Sequence, residues 1–255
     1  MTRNFGWNDS GEPHLGVSFS GSGEVAAAQS GELLYEHWNS GGASRLPSPL
    51  GAWVALDHGD GLISMYSRMD KNSPVQLSDS IEEGAVVGHA GISGWASQNG
   101  FFFQFFDRAE RQWVNPAMII RSMPSRTPFI SQVRLMDTQG RVFNLPQTTS
   151  LSQGRYTVLV NAGAGQPATA LAPFRIICVL NGSEAGALNF ETFFVRDGSL
   201  VVYRNGLIPV KRVHAPAPGF EVADLWLTRG RATLDIIVQD ISGVTRNALF
   251  RFAVE

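Results

Sequence analysis

The sequence predicts a mostly β chain built as two domains, and three observations carry that reading. The apolar runs are short, alternate with polar residues and stop at Gly, Asn, Asp or Pro, which is the pattern of strands and not of amphipathic helices. The composition is rich in turn formers, with 27 Gly and 13 Pro in 255 residues, and low in charge at 16%, which excludes a coiled coil and a charged disordered tail. Finally, Met123-Pro124-Ser125-Arg126-Thr127-Pro128 has the composition of a linker and divides the chain into residues 1–123 and 124–255.

In the first half, strands are expected at 17–19, 51–56, 62–66, 85–87, 101–106 and 113–114. In the second half they lengthen, to 129–136, 141–145, 155–161, 174–180, 199–203, 232–239 and 248–254. Asp137-Thr138-Gln139-Gly140, Arg196-Asp197-Gly198 and Tyr203-Arg204-Asn205-Gly206 supply the turns between them. About seven strands with turn signals over roughly 130 residues suggest a sandwich of immunoglobulin-like type.

Several functions are excluded early. The net charge of −2 offers no basic excess for phosphates, so nucleic acid is not an expected partner. The single cysteine, Cys178, rules out an intrachain disulfide and a cysteine-rich zinc site, and its apolar surroundings in sequence mark it as a small core residue. No apolar stretch approaches the roughly 20 residues of a membrane-spanning helix. The opening residues lack a basic region followed by an apolar run, so no signal peptide is expected.

Two glycine-rich stretches, at 21–26 and 163–168, fit a relaxed dinucleotide fingerprint. Neither is followed by a helix able to meet a pyrophosphate, and both read as strand connections. The histidines His14, His37, His58, His89 and His214 form no H-x-H, H-x-x-H or H-E-x-x-H pair. Asp57-His58-Gly59-Asp60-Gly61 has too few carboxylates for a calcium loop and reads as a tight turn.

The order of the blocks says more than any one of them. Phe5-Gly6 is followed by His14-Leu15-Gly16-Val17-Ser18-Phe19, then by Gly23-Glu24-Val25-Ala26-Ala27 and Gly31-Glu32-Leu33. Leu56-Asp57-His58-Gly59-Asp60-Gly61-Leu62 precedes Met65-Tyr66-Ser67-Arg68-Met69. Ile81-Glu82-Glu83-Gly84-Ala85-Val86-Val87-Gly88 precedes Gly91-Ile92-Ser93-Gly94 and the stretch 100–106, and Val114-Asn115-Pro116 closes the series. Over residues 5–116 this order resembles the lysostaphin/LytM-type zinc endopeptidases, which cut peptidoglycan cross-bridges. The closing Asp240-Ile241-Ser242-Gly243-Val244 resembles the turn between the last strands of bacterial Ig-like domains, with Val244 where those have Asn. The fold this implies is a LytM-like β domain, a duplicated hybrid motif, followed by a C-terminal Ig-like β-sandwich.

The resemblance also implies where the chemistry would sit. In the family, His-x-x-x-Asp and the second His of His-x-His hold zinc, while the first His of His-x-His and the His of Tyr-x-His serve catalysis. His14 is kept. Ser18 stands at the Asp position, Gln104 at the last ligand, Phe102 at the first His of His-x-His, and Arg68 at the His of Tyr-x-His. A hydrolytic zinc needs three protein ligands and an open position; an imidazole, a hydroxyl and an amide do not supply them. Arg68 instead sets a permanent cation beside the former metal position, suited to a carboxylate.

The function expected from these substitutions is a catalytically inactive relative acting as a binding or regulatory module of the cell envelope. It would have no metal and no cofactor. His14, Ser18, Arg68, Phe102 and Gln104 would line the groove, and a peptidoglycan peptide or an envelope protein would be the partner. The setting implied is periplasmic, secreted or cell-envelope. Two alternatives remain open at this point: an active metallopeptidase with a non-standard site, and a structural or adhesive envelope protein.

Overall fold

Alternating apolar and polar residues become strands throughout the computed structural model, which describes residues 1–9, 12–38, 48–120, 126–166, 170–213 and 219–255. The chain divides into two compact units. The first comprises Met1–Phe5 with His14–Arg121, and the second Gly6–Pro13 with Ser122–Glu255. The expected linker lies partly outside the described residues, at Met123, Pro124 and Ser125, and Pro128 already opens a strand. Near its start the chain therefore divides differently from the 1–123 and 124–255 expectation: Gly6–Pro13 groups with the second unit. Its short strands β1 (Asn8–Asp9) and β2 (Glu12–Pro13) pair with each other. Gly6, at φ +80°, lies so close to Phe190 that a Cβ there would stand 2.5 Å from the ring.

The first unit contains β3 (Val17–Ser20), β4 (Glu24–Ala26), β5 (Gly31–His37), β6 (Ala52–Asp57), β7 (Leu62–Met69), β8 (Ser80–Ile81), β9 (Val86–His89), β10 (Gly100–Asp107) and β11 (Gln112–Val114). Within it the sheet order is β11-β10-β7-β6-β5-β8, with β3 also paired to β10, and β4 pairs with β9 separately. The fingerprint-like stretch 21–26 thus ends in strand β4 and opens no helix. Asp57-His58-Gly59-Asp60-Gly61 is the tight turn between β6 and β7. Gly59, Asp60 and Gly61 all have positive φ, and the Asp57 carboxylate accepts the Gly59 N–H at 2.9 Å.

Strand β10 carries the aromatic run, and its period of two sorts the rings. Phe103 and Phe105 are fully buried beside Tyr66, Leu56, Val54 and Met69, while Phe102, Gln104 and Phe106 point to the other face. Just after β11, the Asn115 side chain accepts the Ala117 N–H at 3.0 Å and caps the single helical turn Pro116–Met118.

The second unit contains β12 (Pro128–Asp137), β13 (Val142–Leu145), β14 (Ser150–Leu151), β15 (Gly154–Ala164), β16 (Arg175–Leu180), β17 (Ser183–Asn189), β18 (Thr192–Arg196), β19 (Ser199–Tyr203), β20 (Leu207–Pro209), β21 (Phe220–Leu227), β22 (Gly230–Gln239) and β23 (Thr245–Val254). Sheets β13-β12-β15-β21 and β14-β23-β22-β16-β17 face each other across one core that includes Leu135, Val158, Val222, Ile176, Ile236 and Phe252. The Asp240 turn joins β22 to β23. Asp240 Oδ1 accepts the N–H groups of Ser242 and Val244 at 3.0 and 2.9 Å, and Gly243 has φ +87°. The carboxylate thus closes the turn without an Asn at position 244.

The sequence did not announce β17, β18 or β21. In β21 the burial does not alternate cleanly. Glu221 is buried at 7% exposure, and the pairing with β15 shifts register between Val158 and Leu159. A carboxylate inside reads as a loop until its partner is known. That partner is Arg204, from the turn between β19 and β20, which reaches Glu221 at 3.5 Å and Asp224 at 2.9 Å. Arg212 adds contacts of 3.3 Å to both carboxylates, and Thr157 donates to Asp224 at 2.9 Å.

Two expectations follow for the second unit. Glu221→Ala leaves the Arg204 guanidinium buried and short of a counter-charge, so stability should fall by about 3 kcal/mol in urea unfolding. Cys178 is fully buried and desolvation pushes its thiol up to about 12. It should resist iodoacetamide at pH 8 until urea unfolds the protein. Because the folded pKa is raised above the unfolded value of roughly 8.5, its contribution to stability is complete below that pH and drains away as pH rises toward about 12. Urea midpoints measured from pH 8 upward should decline accordingly.

Candidate functional site

Three strands of the first unit build one polar-aromatic face. Phe102 on β10 lies directly opposite Ser18 on β3 and Ser67 on β7, and Gln104 lies opposite Met65. Directly opposed residues share a face. Gly16, just before β3, makes the approach possible: a Cβ there would stand 2.2 Å from the Phe103 carbonyl oxygen and 2.6 Å from Gln104 Cγ. The backbone can come this near only without a side chain, and that draws His14 over the sheet.

The five residues singled out from the sequence converge there. His14 Nε2 lies 3.0 Å from Ser18 Oγ, and the His14 and Phe102 rings stand 4.7 Å apart. The Arg68 guanidinium carbon sits 4.9 Å from the Phe102 ring centroid, within the range of a cation–π contact. Gln104 Nε2 donates to the Leu15 carbonyl at 3.4 Å. His14, Phe102 and Gln104 are buried, and Ser18 and Arg68 half-buried.

Arg68 owes its direction to a bulge. Ala52 pairs with Met69 and Val54 with Tyr66, so Ser67 and Arg68 together face one residue of β6. Arg68 adopts φ +63° and its N–H donates to the Leu50 carbonyl at 2.7 Å. Bulges re-aim side chains and collect next to functional sites.

The other histidines stand apart from this cluster. His58 Nδ1 lies 2.7 Å from the Ser30 carbonyl oxygen, and its Nε2 lies 2.8 Å from the Ser64 hydroxyl. Ser64 continues to the buried Tyr66 hydroxyl at 3.3 Å, which accepts the Ala28 N–H at 2.8 Å. Burial pushes the Tyr66 phenol up, and the hydrogen bonds from Ala28 and Ser64 offset this in part. His37 lines a separate cleft of about 410 Å³ with Lys71, Ile92 and Trp95. His214 lies outside the described residues.

A zinc ion does not fit the central donor set. His14 is the lone imidazole in it, its Nε2 is engaged with the Ser18 hydroxyl, and the remaining donors are a hydroxyl and a neutral amide. Among the described residues no group of three or more His, Cys, Asp or Glu is placed to hold a metal.

Sequence reasoning missed Thr2, Arg3 and Gln98. Arg3 bridges to Ser18 in antiparallel fashion, with the Ser18 N–H donating to the Arg3 carbonyl at 2.9 Å. A cleft of about 210 Å³ is lined by Thr2, Arg3, Ser18, Arg68, Ser97 and Gln98 among others. No local pattern marks Arg3, because the bridge to Ser18 alone brings it there.

The family model of peptidase family M23 matches residues 12–116. These residues form an M23 peptidase domain of the LytM/lysostaphin type. A second family model, without a descriptive name, matches residues 127–255. Among curated proteins none matches the chain.

Three solved structures resemble the M23 part. The catalytic domain of the prophage-encoded M23 protein EnpA from Enterococcus faecalis is 24% identical over 44% of this chain and 85% of its own, with a TM-score of 0.36. The SpoIIQ–SpoIIIAH pore-forming complex gives 18% identity over 47% and 82%, with a TM-score of 0.37. The catalytic domain of lysostaphin from Staphylococcus simulans gives 20% over 48% and 89%, with a TM-score of 0.36. At these TM-scores they are partial likenesses.

The M23 domain depends on the bare backbone at Gly16. Gly16→Ala should cost about 2 kcal/mol or more in urea unfolding, since the obstructing atom is a backbone oxygen. It should also disturb the His14 side-chain signals in NMR spectra.

Proposed function

We propose that the M23 domain is a non-catalytic binding module of the bacterial cell envelope, working outside the cytoplasm, with the groove around His14, Ser18, Arg68, Phe102 and Gln104 as its contact surface. The observation that carries this reading is that the five positions still converge on one face while four of them have exchanged their chemistry. Without a metal no water has its pKa lowered toward ~7, and no imidazole stands at Arg68 or Phe102 to act as a base. The groove keeps the parts that bind: buried aromatic surface, hydroxyls, an amide and a cation. Its expected partner is a peptidoglycan peptide or an envelope protein.

We read the second unit as an Ig-like sandwich. In its favour, β12, β15 and β21 share one sheet and β16, β22 and β23 the other, the division of strands A, B, E and C, F, G in that fold. It serves in this reading as a companion domain.

Zinc is the discriminating reagent. Protein purified without chelator should hold well under one zinc per chain by elemental analysis, and with zinc added it should release no fragments from glycine-rich or stem-peptide cross-links. Release of fragments would favour an active hydrolase with a non-standard site. The double variant Ser18→Asp, Gln104→His should by contrast bind one zinc per chain, because its two new donors would share the face with His14 and bring the ligands to three. Retention of the unmodified protein on purified peptidoglycan is the positive expectation. If neither peptidoglycan nor envelope extract retains it, the reading as a scaffold protein prevails.

A further inference from the structure

We propose that the free edge of β23 is a strand-addition site for an extended acidic segment of another protein. This edge lies in the second unit and acts independently of the groove in the M23 domain.

Strand β23 is paired unevenly. It pairs with β22 along its whole length, Thr245–Val254, without a register shift. On its other side β14 reaches only Ala253 and Val254. The Ala253 and Glu255 N–H groups donate to the Thr149 and Leu151 carbonyls, both at 2.9 Å, so these odd-numbered residues turn their backbone away from β22. That direction alternates along an antiparallel strand. The N–H and C=O groups of Thr245, Asn247, Leu249 and Arg251 therefore point off the sheet, and among the described residues none of them has a hydrogen-bond partner. The chain itself adds one short strand to this edge and leaves the rest open.

Of the usual ways to blunt such an edge — proline, a bulge, short length, charge — only charge is present. The strand runs ten residues without proline or bulge, and Leu249 on it is 47% exposed. Arg246 and Arg251 are exposed, as is Arg231 opposite Ala253 on β22, and among the described residues none of the three makes an ion pair. The carboxylates of the same hairpin are Asp235, one strand in from the edge, and Asp240, whose Oδ1 accepts two N–H groups of its own turn. The edge therefore draws an acidic strand, whereas a second copy would bring the same arginines to it.

Side chains alternate across the strand, so Arg251 and Leu249 lie on one face and Arg246 and Phe250 on the other. In such additions the main chain supplies affinity and the cross-strand pairs supply selectivity. An antiparallel partner meets both arginines when its acidic residues are five positions apart, one on each face. The ligand class is an extended segment with Glu or Asp at that spacing.

The test is an NMR titration of the full chain with acetyl-Glu-Val-Thr-Val-Thr-Glu-amide, whose first residue is set opposite Arg251 and whose last is set opposite Arg246. The amides of Asn247, Leu249 and Arg251 should shift and exchange hydrogen at least tenfold more slowly. The same peptide with Lys for both Glu should bind at least tenfold more weakly, and Arg246→Ala and Arg251→Ala should each weaken the acidic peptide about threefold. N-methylation of its third and fifth residues, whose N–H groups aim at β23, should abolish binding. N-methylation of the second and fourth, which aim away, should leave affinity within about threefold. Leu249→Pro removes an N–H that the fold does not use and should abolish binding at an unchanged urea midpoint.

Equal binding of the Glu and Lys peptides would overturn the acidic partner. Undiminished binding after N-methylation at the third and fifth residues would overturn strand addition, and this comparison needs no variant of the protein. Slowed exchange at the same amides in concentrated protein without peptide would assign the edge to a second copy and overturn the proposal.

Discussion

Strand β10 is hydrogen-bonded along both edges, to β7 on one side and to β3 and then β11 on the other. Nearly everything in the M23 domain hangs on the phase this imposes. Phe103 and Phe105 face the core, so Phe102 and Gln104 must face outward, where β3 and β7 bring Ser18 and Ser67 opposite Phe102. A slip of one residue would exchange the two sets and place an amide in the core. The groove and the core are thus two readings of one register, and Gly16 secures it by letting the chain before β3 lie against β10.

A donor set that does not fit zinc and an intact fold have one physical explanation. Zinc contributes to folding where a small domain lacks another core. Here Tyr66, Phe103, Phe105, Leu56 and Met69 make a buried cluster beneath the sheet. The donor positions lie on the opposite face, where Phe102 now packs against His14 and Arg68.

How much was legible in the sequence depended on whether a feature was local. The alternation of the aromatic run placed β10. Asp57 to Gly61 declared a turn, and the Asp240 turn was visible before its hydrogen bonds were. Strand β21 was not, because Glu221 and Asp224 interrupt its apolar pattern and their partner Arg204 lies 17 and 20 residues away. Arg3 was invisible for the same reason, since its place comes from a bridge to Ser18, 15 positions on. The bulge that turns Arg68 was likewise beyond reach, as it is defined by the count of residues on β6 against β7. The five groove residues themselves were found by resemblance, and spacing alone would not have assembled them.

The ion-pair group of the second unit has a bearing on how the chain can change over time. Arg204 and Arg212 belong to one segment and Glu221 and Asp224 to the next, each carboxylate is touched by more than one guanidinium, and Arg155 also reaches Asp224 at 3.8 Å. Exchange of any one leaves a buried or half-buried charge short of a partner, whereas exchange of the whole group for apolar residues is physically permitted. The excursion β18–β20 and strand β21 should therefore be inherited as a block. Drift within them should proceed by paired replacements, so a survey of related chains would find these four positions varying in concert while the exposed Trp226 beside them varies alone.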